Sequence, residues 1–237
     1  GNDFSDRLLD DLASRTGGSV AFLDSPQAIM GVMEGIFEAL GRTVASRLRL
    51  EGAVAPQVDL RSSFRLLPDP MPMGDSLPMN LGNLPRDGVV RVLLELVIHP
   101  IGKMTELTLA HFTIDGDILG KGSTSVALPV QVRIPVSTEP DTDPPAEQIT
   151  SALSQISLYR MQEKARHEAE LGQSGQAARR LENLATQLLA NGEKELAKAA
   201  LSEADRLTHS RRLSSEGEKV LKYGTRALLL PARTGDS

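Results

Sequence analysis

Residues 17–26 read Gly-Gly-Ser-Val-Ala-Phe-Leu-Asp-Ser-Pro. The apolar run 19–23 has the look of a short, fully buried strand. Before it, Leu8, Leu9 and Leu12 form one stripe of a helix that Asp3 or Ser5 can cap and Gly17-Gly18 can stop. After it, Asp24-Ser25-Pro26 restarts the chain, with Pro at a first helical position, where its missing N–H costs nothing. Ile29, Val32, Met33, Ile36, Phe37, Leu40 and Val44 follow at helical spacing. The block 1–45 is therefore a helix–strand–helix unit. A strand of this kind belongs in a parallel sheet covered on both faces, which one strand cannot build. The unit reads as the remnant of a larger α/β domain, and its uncovered strand would favour self-association into a homo-oligomer through residues 1–45.

At residue 46 the apolar period changes from 3.6 to 2. Leu48 and Leu50, then Val58, Leu60 and Phe64, alternate with polar residues, and Val90 to Ile98 is nearly all apolar. Pro and Gly punctuate these runs, so 46–138 reads as an antiparallel β-sandwich of six or seven strands. Because both faces of 89–98 are apolar, that strand is expected to be central, with cover on two sides. Pro129 and Pro135 cannot donate to a ladder and place the last strand at an edge. The polar, proline-rich stretch 139–145 reads as a stiff linker.

From 146 to 231 the helical period returns. Ile149, Leu153 and Ile156 form one stripe, Ala177, Leu181, Leu184 and Leu188 a second, and Leu196, Ala200, Ala204 and Leu207 a third. Breaks at Gly172–Gly175 and Asn191-Gly192 are short enough to make the helices antiparallel neighbours in a bundle. A 19-residue offset aligns Ala178 with Ala197 and Leu188 with Leu207, which is the spacing of consecutive helices and not of a 34-residue repeat. The fold class is thus α+β and multidomain: a helix–strand–helix remnant, a sandwich and a C-terminal helical bundle.

Composition narrows the function. The 237 residues include no Cys and no Trp, with five Phe and two Tyr. Disulfides, thiolate metal sites and a Cys nucleophile are excluded, and the platforms on which single-stranded bases stack are scarce. Residues 1–143 carry 12 Lys+Arg against 19 Asp+Glu, and 144–231 carry 13 against 11. Nets of −7 and +2 do not make a nucleic-acid footprint. No apolar run nears the ~18 residues of a membrane span. A soluble chain is expected, with the lack of Cys favouring the cytoplasm.

The search for chemistry yields no site. His99, His111, His167 and His209 have no metal-ligand spacing, and phosphate-loop and nucleophile-elbow motifs are absent. The glycine-rich stretch 116–124 lacks the spacing of a phosphate loop and reads as a hairpin turn. Asp115-Gly116-Asp117 resembles a fragment of a calcium loop, but it lacks the bidentate Glu and the third ligand spacing and reads as a turn. Glu163, His167, Glu168 and Glu170 share a helix, but Glu182 and Glu203 do not complete a di-metal pattern. No catalytic, cofactor or metal residue is assigned. The weak cluster of His111, Asp115 and Asp117 is all that supports an alternative reading as a hydrolase.

Leu8-Leu9-x-x-Leu12-Ala13-x-x-Thr16-Gly17-Gly18-Ser19-x-x-Phe22, then Asp24-Ser25-Pro26-x-x-Ile29 and an amphipathic helix, resembles the end of a von Willebrand factor type A domain. The match covers about a sixth of the chain. In bacterial proteins of that kind a sandwich and a helical tail often follow, and 81–84, 94–96 and 219–226 are similar to such tails. The resemblance implies a non-enzymatic interaction or scaffold module with a protein partner. A membrane-associated channel-like subunit is a further architecture of this kind, and the lack of a span argues against it. The family's metal-ion-dependent adhesion site uses Asp-x-Ser-x-Ser, which this chain lacks. Asp59-Leu-Arg-Ser62-Ser63 has the wrong spacing. A divalent cation such as magnesium is therefore expected only in an A-domain portion outside this chain.

Overall fold

The computed structural model describes residues 5–21, 23, 28–120, 124–139 and 143–230. Two compact units emerge, divided between residues 143 and 144.

The first unit opens with α1 (Asp6–Thr16). Ser5 caps it by accepting from the Leu8 N–H, and Gly17 ends it in the left-handed region at φ 69°. The strand expected over 19–23 does not form: 19–21 and 23 have no strand geometry, while Phe22 and 24–27, with Pro26, lie outside the described residues. No described strand lies alongside this segment to supply a ladder. Instead the Val20 N–H donates to Asp69 Oδ2 at 3.2 Å. After α2 (Ala28–Gly41) come seven strands: β1 (Thr43–Val54), β2 (Val58–Leu67), β3 (Met71–Gly74), β4 (Met79–Pro85), β5 (Arg91–Ile98), β6 (Glu106–Ile118) and β7 (Thr124–Pro135).

All strand pairs are antiparallel. One sheet has the order β4-β1-β6-β7 and the other β3-β2-β5. Leu50, Met79, Leu81, Ala110 and Phe112 fill the space between the sheets with Val92 and Leu94, and Val58, Leu107 and Leu109 pack with Leu96 and Ile134. Period-2 alternation thus yields the sandwich that the sequence implies. β7, with its two prolines, lies at an edge as expected. β5 does not lie at the centre: among the described residues it pairs with β2 alone, and Val97 and Ile98 are exposed. An apolar run reports apolar surroundings, whether or not a strand lies on each side.

Arg65 of β2 ties α1 to the sandwich. Arg65 is 1% exposed, and its guanidinium donates to backbone carbonyls. Nε donates to the Asp69 carbonyl at 3.0 Å. One terminal nitrogen donates to Gly17 O at 3.1 Å and Leu81 O at 3.4 Å, and the other to Gly18 O at 2.5 Å. These carbonyls include acceptors that the end of α1 leaves without intrahelical donors. The approach is so close that a Cβ at Gly17 would strike the backbone of Gly82, and one at Gly82 would strike Gly17. Both glycines also have positive φ, 69° and 94°.

The second unit is a ring of four helices, α3 (Glu147–Glu170), α4 (Ser174–Ala190), α5 (Lys194–Ser210) and α6 (Ser215–Ala227). Each packs on two others: α3 on α4 and α6, α5 on α4 and α6. Leu181, Leu184, Leu188, Ala197, Ala200 and Leu207 form its core, as their spacing implies. The α3 stripe is rotated from the expected one. Ile149 and Leu153 are exposed; Ile156 is buried as expected, together with Ala152, Tyr159, Gln162 and Ala165. Polar residues of α6 line this seam, with Arg226 over the Tyr159 ring and donating to its hydroxyl at 3.4 Å. Arg180 of α4 grips Glu168 of α3 with two bonds of 2.9 and 2.6 Å. Glu203 of α5 accepts from the Ser214 N–H and hydroxyl, and Ser214 caps α6.

Two predictions follow from these polar joints. Arg65→Met is expected to cost about 3 kcal/mol, because it orphans several buried carbonyls. Urea unfolding at constant slope measures the cost, and amide exchange should show α1 loosening first. The second concerns pH. The bonds from Arg180 hold the Glu168 carboxyl below its ordinary range, against the opposing effect of burial. Its contribution is therefore complete above the unfolded value near about 4.3 and is lost as pH falls through the lower folded value. Thermal melts from neutral pH to below that range should show this loss, and Arg180→Met should diminish it.

Candidate interaction surface

α2 is built from helix-favouring Ala, Ile, Met and Leu with glycines at 31, 35 and 41. Its C-terminal end is anchored, since Arg42 bonds Glu38 at 3.1 Å and Asp87 at 2.8 Å. These two carboxylates raise the pKa of Arg42 above the ordinary arginine value. The rest of the helix is uncovered: Phe37 is 66% and Leu40 57% exposed, and Ile29, Met30, Met33 and Ile36 are also exposed. On α1, Leu8 and Leu12 are exposed as well. Contiguous apolar exposure of this kind marks an interaction site.

A polar groove of about 570 Å³ runs beside the end of α1, over β1, β4 and β6. Asp115 and Asp117 line it together with Arg15, Arg47, Arg49 and Asn80. Arg47 sits in an irregular stretch of β1 at φ 53° and bonds Asp117 through Nε at 2.6 Å. Arg49 pairs with Glu51 and lies 3.7 Å from Asp115. His111 does not join them. It stands opposite Ala53 and Gln131, four residues along β6 from Asp115. At ~3.3 Å per residue that is about 13 Å away, so the three groups of the hydrolase alternative do not converge.

The other candidates are structural joints. Asp59 pairs with His99 at 2.6 Å, Ser62 donates to Glu95 at 2.9 Å, and Ser63 donates to the Gly74 carbonyl at 2.8 Å, so this stretch has three separate partners. Glu163 is held by Arg166 and Glu168 by Arg180. His209 lies 3.3 Å from Asp205 on its own helix. Among the described residues no three His, Asp or Glu are grouped to hold a metal. A hard cation needs six or more oxygens, and the residues present do not fit the cation that an adhesion site of the A-domain type would take. Of the stretch 116–124, residues 121–123 lie outside the described residues. Arg65 with Gly17 and Arg226 with Tyr159 carry no spacing signal, because the partners lie 48 and 67 residues apart in sequence.

A second cleft, of about 530 Å³, opens between the sheets. Val90, Val92 and Leu94 line it on one side, and Phe112, Val126 and Leu128 on the other.

Residues 147–231 match the family described as Sll0103-like, C-terminal alpha-helical domain. The solved structure of a von Willebrand factor type A protein from Catenulispora acidiphila superimposes with a TM-score of 0.65 at 12% identity, covering 95% of this chain and 56% of that one. In fold, the chain is similar to a von Willebrand factor type A protein with a helical C-terminus. The resemblance read from residues 8–29 holds at that level. The ArnB paralog VWA2 from Sulfolobus acidocaldarius is similar with a TM-score of 0.39 and 12% identity, over 94% of this chain and 53% of that one. The chain thus spans little more than half the length of either structure. No curated protein matches. No described helix is long and apolar enough to cross a membrane.

The ion-paired state of Asp115 and Asp117 leads to a prediction. Titration calorimetry with magnesium, manganese or calcium should give no one-site isotherm in the micromolar range. A saturable signal that Asp117→Asn removes would show that the arginines yield to a cation.

Proposed function

We propose that this chain is a non-enzymatic protein-interaction module, in which the sandwich and the helical bundle serve as scaffold for a von Willebrand factor type A domain. The observation that carries this is α2, an apolar helix with Phe37 and Leu40 uncovered. A helix apolar on most sides is suited to burial between other elements. The parallel sheet of an A domain is such a surface, and residues 5–41 have the residue pattern of that domain's end. Any metal-dependent adhesion belongs to that domain and uses magnesium or a similar cation there. The partner is a protein, and the regular arginine pairing of the carboxylates supports a structural use of them.

Hydrogen exchange over 28–41 tests the proposal. Amides of α2 should exchange rapidly in this chain and at least about tenfold more slowly in a polypeptide that also supplies the A-domain sheet. Equal exchange in the two would overturn it.

A further inference from the structure

We infer that the free edge of β5, with the apolar cleft beside it, is a docking site for an extended peptide strand supplied by another polypeptide, with apolar side chains at alternate positions. Four edges bound the two sheets: β4, β7, β3 and β5. Three are blunted in the ways that natural sheets use. β7 carries Pro129 and Pro135. β3 has four residues, one of them Pro72. β4 has register shifts against β1 and ends at Pro85.

β5 has none of these guards. It runs Arg-Val-Leu-Leu-Glu-Leu-Val-Ile, without Pro or Lys, and β2 is its only ladder partner among the described residues. At both register shifts of that pair the extra residue is on β2, which leaves β5 regular. Its one internal charge, Glu95, is occupied with Ser62 and Arg61 across the ladder to β2.

The cleft lies beside this edge. Val92 and Leu94 of β5 form one wall and Val126 and Leu128 of β7 the other. The facing sheet has four strands and this one three. Leu128 is accordingly 56% exposed and Val130 39%, although both lie on β7 of a sandwich. An added strand would satisfy the unpaired backbone of β5 and set every second side chain over Leu128 and Val130. Main-chain bonds supply affinity and the cleft selects side chains, as in β-augmentation. The added strand would make β5 the central strand that its two apolar faces imply.

This inference deepens the interaction-module reading with a second surface, and its test leaves α2 untouched, so either can fail alone. The probe is a fluorescein-labelled peptide of alternating Thr and Val with Lys at both ends. Its control has the same length with Pro at two central positions. Fluorescence anisotropy should show saturable binding at about 0.1 mM or tighter, with the control at least about tenfold weaker. Exchange of amides in 91–98 should slow on binding, while that of 174–210 stays unchanged. Leu128→Lys, at an exposed position that does not endanger folding, should weaken binding about tenfold or more. No saturable binding, or equal binding of the Pro control, overturns the proposal. So does dimerisation of the chain without peptide that protects 91–98, because it assigns the edge to a second copy.

Discussion

The guanidinium of Arg65 is the point on which the first unit turns. A buried cation is costly unless every donor finds an acceptor. Here the acceptors come from three places in the chain: the end of α1, the β2–β3 turn, where Asp69 offers both its carbonyl and its carboxylate, and β4. Each acceptor solves a problem of its own. A chain leaving a helix has carbonyls without intrahelical donors, and Arg65 donates to those of the C-cap Gly17 and of Gly18 just beyond it. Such a joint needs backbone-to-backbone approach, which explains glycine at both 17 and 82. It also accounts for the fate of 19–21. With Val20 bonded to Asp69, its N–H is met by a side chain instead of a ladder.

The helical unit uses the same kind of chemistry at its seams. Alanines and leucines make the α4–α5 contact, and small alanines allow close packing. Around that core the helices are registered by polar pairs: Glu168 with Arg180, Glu203 with Ser214, and Arg226 with Tyr159. Gly217 fits this scheme, since a Cβ there would collide with the Glu203 carboxylate. An apolar contact tolerates sliding, whereas a bidentate bond such as Arg180 to Glu168 does so far less. The result is a bundle whose cohesion is apolar and whose alignment is polar.

Period and punctuation made most of the fold legible in advance. Ser5 and Gly17 bracket α1, Pro129 and Pro135 mark β7 as an edge, and Leu181, Leu184 and Leu188 report the α4 core. These are local signals read over a few residues. What escaped depends on distant partners. The apolar run 19–23 does not state whether a neighbouring strand exists. Val92 to Ile98 does not state which side of the strand is filled. The stripe of Ile149 and Leu153 does not state which face of α3 is covered: both are exposed, whereas Tyr159 is buried against Arg226 of α6, 67 residues away. Asp115-Gly116-Asp117 has the composition of a turn but lies within β6, where Arg47 and Arg49 of the neighbouring strand pair with the two carboxylates.

The two uncovered apolar surfaces differ in what holds them. β5 is fixed by its full ladder with β2, so its free edge and the adjoining cleft are in place before anything binds. α2 has fourteen residues, three of them glycine, and its bonded anchor is at the Arg42 end. Isolated helices shorter than ~12–15 residues are marginal in water, and each interior glycine costs about 1 kcal/mol relative to alanine. The order of α2 is therefore coupled to its cover, whereas the order of β5 is not. A partner of α2 must supply ordering free energy together with contact, which lowers affinity for a given area. A strand that adds to β5 meets a rigid template, and the ordering cost is its own. On the two proposals, the same chain would combine a surface that gains structure on assembly with one that confers structure on what it binds.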